Sequence, residues 1–108
     1  MAESKPVLKK LVALKRQRAE QVLLGIQQEI SALKLELAGL EERLLAMNGQ
    51  GRGIEAQFLS YEHGYVQRLV SALGQCRTRI IRKETEMLAA RESLKRAFDS
   101  EERLRREH

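Results

Sequence analysis

Apolar residues recur at alternating steps of four and three along almost the whole chain, a spacing that suits a long helix packed on a second helix. In the N-terminal half the stripe runs Leu8, Val12, Lys15, Ala19, Val22, Ile26, Ile30, Leu33, Leu37, Leu40, Leu44 and Met47. Lys15 is its only polar member, and one extra step of four falls between Ile26 and Ile30. The C-terminal half reads Ile54, Phe58, Tyr61, Tyr65, Leu69, Leu73, Cys76, Ile80, Lys83, Met87, Ala90, Leu94, Ala97, Glu101 and Leu104. Its phase slips between Tyr65 and Leu69. Each seam is thus expected to unwind once, locally.

Composition supports helix over sheet. Ala, Leu, Glu, Lys and Arg make up 62 of 108 residues, above the level at which a coiled coil becomes the leading expectation. One break interrupts the pattern, Asn48-Gly49-Gln50-Gly51-Arg52-Gly53. Three glycines there cost roughly 1 kcal/mol each relative to alanine, and Asn48-Gly49 is a helix stop. Ser4 can cap a helix start, with Pro6 tolerated in the first turn. The expectation is a single all-α domain, an antiparallel coiled-coil hairpin. Its helices span 4–47 and 54–107, joined by a turn at 48–53. Residue i should face roughly residue 101 minus i, which brings Gly25 near Gly74 and Gly39 near Gly64.

Charge is distributed unevenly along the sequence. Residues 1–20 carry Lys5, Lys9, Lys10, Lys15, Arg16 and Arg18 against Glu3 and Glu20. Residues 76–98 carry Arg77, Arg79, Arg82, Lys83, Arg91, Lys95 and Arg96 against three glutamates. The expected register lays these segments side by side, making the open end of the hairpin basic. Such an end suits an acidic protein cavity. Solvation of the charged face by i, i+4 pairs, such as Arg16 with Glu20, is the competing reading. Nucleic acid is disfavoured, because no stacking aromatics interleave the basic residues. Membrane insertion is disfavoured because no long apolar run exists. Phe58, Tyr61 and Tyr65 form a helically spaced aromatic set. They read either as seam packing or as a partly exposed recognition patch, which the phase slip would turn outward.

Catalytic chemistry has no foothold. His63 lacks an Asp, Ser or Cys at a useful spacing, and His108 closes the sequence. Cys76 occupies a seam position and reads as a small core residue. The glycines at 49, 51 and 53 precede no Lys-Ser or Lys-Thr pair, so they form no phosphate loop. No catalytic residue, metal site or cofactor is expected, and the chain is not read as an enzyme.

The segment Leu11-Val12-Ala13-Leu14-Lys15-Arg16-Gln17-Arg18-Ala19-Glu20, with the hairpin pattern and longer second helix, resembles the stalk proteins of bacterial type III export. These are the YscO family of injectisomes and its flagellar counterpart FliJ. The resemblance implies a cytoplasmic protein, peripheral to a secretion apparatus at the inner membrane. It implies that the open end, here Lys5, Lys9, Lys10, Arg16, Arg18, Arg77, Arg79 and Arg82, docks in the hexameric export ATPase. The aromatic face Phe58, Tyr61 and Tyr65 would then meet the cytoplasmic domain of the export gate or secretion chaperones. The chain is expected to be a monomer. Two alternatives stay open: a prefoldin-like helical chaperone and a dimerising structural coiled coil.

Overall fold

The computed structural model describes the backbone of residues 4–50 and 56–107 and the side chains of 5–47 and 63–107. Two helices account for nearly all of them, α1 (Ser4–Gln50) and α2 (Ala56–Arg106), and no strand occurs among the described residues. The fold class is all-α, an antiparallel two-helix coiled-coil hairpin. Asn48 and Gly49 do not end α1, which continues to Gln50, and α2 begins at Ala56 rather than Ile54. The rest of the glycine-rich segment lies outside the described residues. Among the described residues no helix is long and apolar enough to cross a membrane.

Both helices run through two compact units, one of residues 1–29 with 83–108 and one of residues 30–82. In the second unit Leu40, Leu69, Leu73, Cys76 and Ile80 form a buried cluster. Leu33, Leu37, Leu44, Met47, Tyr65 and Ala72 pack on it half-buried. This is where hydrophobic burial holds the helices together. The first unit is thinner: Ala90 is its one buried apolar residue among those described. Small or charged side chains, Arg16, Ala19, Lys83, Ala97 and Glu101, hold much of its seam.

Burial re-draws the seam of α1. Ala13, Glu20, Gly25 and Gly39 are half-buried beside it, but the continuous row of half-buried and buried positions is Val12, Arg16, Ala19, Leu23, Ile26, Ile30, Leu33, Leu37, Leu40, Leu44 and Met47. The steps alternate four and three without interruption, so the extra step at Ile26 does not exist. Leu8, Lys15 and Val22 instead stand exposed, while Arg16 and Leu23 turn inward. On α2 the seam keeps strict phase from Val66 through Leu69 and Leu73 to Leu104. Tyr65 does not swing away at a slip: it lies half-buried beside Val66 and packs on the cluster.

The pairing register also differs from expectation. Cys76 Sγ donates to the Leu33 carbonyl at 3.3 Å, where the reversal about residues 48–53 had placed Arg68. Lys83 meets Glu29 at 2.8 Å, where Ala72 was expected. Later helix ends move the centre of reversal toward the C-terminus, and side-chain interdigitation sets the remainder. The glycine pairs consequently have no packing role. A Cβ on Gly25, Gly39 or Gly74 would meet nothing within 4 Å, and one on Gly64 would meet only the Arg68 side chain at 3.7 Å. Helix ends are complementary in the first unit: Lys5 Nζ donates to the Glu107 carbonyl at 3.2 Å, supplying a donor to the last turn of α2.

Candidate functional site

The expected basic cluster is not a single site. Lys5, Lys9, Lys10, Arg16 and Arg18 belong to the first unit, whereas Arg77, Arg79 and Arg82 belong to the second. The first unit carries thirteen Lys and Arg against ten Asp and Glu, the second seven against five. Neither is strongly basic as a whole. Within the first unit the pairing brings Glu101 to Arg16 and the end of α2, with Asp99, Glu101, Glu102 and Glu107 among Arg103, Arg105 and Arg106, beside Lys5 and Lys9.

Arg16 is the clearest correction. Its side chain is 23% exposed and sits on the seam, not on an outer face. Nη1 donates to Glu20 Oε1 at 2.9 Å and Nε to Glu101 Oε2 at 3.3 Å. The Phe98 ring centroid lies 5.8 Å from the guanidinium carbon, within cation–π range. Hydrogen bonding to Glu20, then to Glu101, holds the guanidinium charged beyond the ordinary arginine range. Lys9 lines a shallow cleft with Glu101, Leu104 and Arg105. At the C-terminal end of α2, Arg106 pairs with Glu102 at 3.0 Å and Arg105 with Glu101 at 3.8 Å.

A second ionic seam position is Lys83, bridging Glu29 across the helices at 2.8 Å and Glu86 on its own helix at 3.1 Å. Those hydrogen bonds, Glu29 first, raise its pKa. The signal was present in the sequence as two charged residues, Lys83 and Glu101, inside an apolar heptad row. A charge on one seam requires its opposite on the facing helix. What pattern alone could not supply was which residue provides it.

The outer face of α1 in the first unit stays uncovered. Val7, Leu11 and Leu14 are 58%, 53% and 59% exposed and follow one another at steps of four and three. Lys10, Lys15 and Arg18 are exposed around them, with no ion pair among the described residues. In the second unit, Arg79 and Arg82 flank a shallow depression lined by Ser71, Gly74, Gln75 and Thr78. Arg77 is exposed on the same helix. The side chains of Phe58 and Tyr61 lie outside the described residues. His63 is exposed, and its Nε2 lies 3.2 Å from Gln67 Nε2. Cys76 is buried and forms no disulfide. Among the described residues no group of His, Cys, Asp and Glu could hold a metal ion.

An apolar row flanked by unpaired cations offers burial to one partner face and charge complementarity to its rim. Comparison with known protein families, with characterised proteins and with solved structures finds no match for the chain.

Proposed function

We propose that this chain is a stalk component of a bacterial type III export apparatus, acting by protein–protein contact. The observation that carries the reading is the uncovered α1 face of the first unit, Val7, Leu11 and Leu14 among Lys10, Lys15 and Arg18. A helical end that presents apolar and cationic groups together suits the acidic opening of a ring-shaped ATPase. The type III stalk resemblance of residues 11–20 supports the same partner. In this reading Lys9, Lys10 and Arg18 contact the export ATPase hexamer. Arg16 acts from within, fixing the seam on which that face is built. Arg77, Arg79 and Arg82 form a separate contact surface on the second unit. Phe58, Tyr61 and Tyr65 remain the proposed face for the export gate or a secretion chaperone. The protein would work in the cytoplasm beside the inner membrane, without a cofactor.

The experiment is association with a purified export ATPase, measured over a salt series. Reversing Lys10 and Arg18 to Glu should weaken association roughly tenfold or more and flatten its salt dependence, with helix content unchanged. Tight binding of duplex DNA by the wild type, with no ATPase association, would overturn the reading. Leu35 and Leu45, 76% and 71% exposed on α1 of the second unit, favour a second reading, the dimerising structural coiled coil. Sedimentation separates the two, since the stalk is expected to be a monomer.

A further inference from the structure

Two apolar rows overlap on the first part of α1. Val12, Ala19 and Ile26 belong to the row that faces α2, completed by Arg16 and Leu23. The same three residues also complete a second row with Leu8, Lys15 and Val22, which is exposed: Leu8 by 47% and Val22 by 52%. A helix that meets one neighbour needs one such row. A helix with two overlapping rows has a face wide enough for two neighbours.

Three members of the second row, Val12, Lys15 and Ala19, line a groove of about 370 Å³ that lies wholly within the first unit, and Leu8 and Val22 continue the row beyond its two ends. Val12, Ala19 and Ala97 line it with apolar surface, and Ser93 and Ser100 add small hydroxyl side chains from α2. Small residues let a further helix approach closely. Lys15 on α1 and Arg96 on α2 complete the lining, and no carboxylate is part of it. Neither cation has an ion pair among the described residues, whereas the seam cations Arg16 and Lys83 each have two.

We infer that this groove seats a third helix, contributed by a partner protein, with a narrow apolar stripe and carboxylates on its flanks. Lys15 and Arg96 select for those carboxylates from the two helices that line the groove. A second copy of the chain fits poorly, because an isologous contact would bring Lys15 and Arg96 of both copies together. Lys15 borders both this groove and the uncovered face of α1, whereas Arg96 and Ala97 line the groove and Lys10 does not, so variants at Arg96 and Lys10 separate the two surfaces.

The probe is a fluorescein-labelled synthetic helix of about three heptads, with Leu and Ala at the seam and Glu on both flanks. A matched peptide with Lys on the flanks is the control. Anisotropy with the full chain should show binding of the acidic peptide only. Reversing Lys15 and Arg96 to Glu should weaken it roughly tenfold or more. The neutral pair Lys15→Gln with Arg96→Gln serves if the reversed pair fails to fold. Zero-length carbodiimide crosslinking should join a peptide glutamate to Lys15. Several results would overturn the inference. One is equal binding of both peptides. Another is equal weakening by Lys10→Glu with Lys34→Glu, a matched charge change outside the groove. Crosslinks that avoid Lys15 would also sink it. So would a wild-type dimer that Val22→Glu abolishes, or capture of the chain by anionic phosphatidylglycerol vesicles through Leu8 and Val22 in place of the peptide.

Discussion

Arg16 on α1 reaches across the seam to Glu101 on α2, Nε to Oε2 at 3.3 Å, at a heptad position that would ordinarily hold an aliphatic side chain. Glu20 takes the same guanidinium at 2.9 Å. Ionic groups at seam positions specify alignment, because a slipped register leaves each charge against apolar neighbours. Glu101→Ala alone should therefore lower the melting temperature, by leaving Arg16 under-partnered. Arg16→Leu with Glu101→Leu should restore or exceed wild-type stability. Thermal melts of the full double-mutant cycle measure this, and a double variant less stable than either single would refute it.

Burial concentrates in the second unit. Leu73 is 4% exposed within the cluster, so Leu73→Ala should cost about 2–5 kcal/mol. Val12→Ala in the thinner first unit should cost about 1 kcal/mol or less, since Val12 is only half-buried. Urea unfolding of both variants gives the comparison. Hydrogen exchange should show stronger protection around Leu69 to Ile80 than around Ala97 to Leu104.

The helical glycines 25, 39 and 74 have open space where a Cβ would stand. Their replacement by alanine meets no clash and removes backbone freedom from the unfolded chain. Each Gly→Ala change should stabilise by about 0.5–1 kcal/mol. Destabilisation by any of the three would show that the helices approach more closely there.

Lys83 links stability to alkaline pH. Its folded pKa lies above the ordinary lysine value of 10.5 because Glu29 and then Glu86 hydrogen-bond the ammonium. A raised pKa means that the charged form favours the folded state. The contribution is fully present below the ordinary lysine range and is lost as pH rises through the folded value. Wild type and Lys83→Met should differ by a constant melting offset across neutral pH. That offset should shrink only above about pH 10. An offset that vanished near pH 7 would assign the effect to another group.

How much of this protein follows from its sequence divides along one physical line. The 62 strong helix formers and the four-three spacing determine two long helices and no sheet. The α2 seam from Leu69 to Leu104, the burial of Cys76 and the presence of charge at Lys83 and Glu101 follow from the same spacing, because only one apolar row is available there. On α1 two rows share Val12, Ala19 and Ile26, and periodicity satisfies both. Only the position of the facing helix chose Arg16 and Leu23 over Lys15 and Val22. Register was likewise undetermined by pattern, since sliding one heptad row along another preserves every apolar contact type. Tertiary packing settled it through contacts that cannot slide, Cys76 to the Leu33 carbonyl, Lys83 to Glu29 and Arg16 to Glu101. That settlement placed Arg77, Arg79 and Arg82 in a different unit from the N-terminal lysines. Spacing along one helix determines a helix's faces, and only the partner helix determines which face is covered.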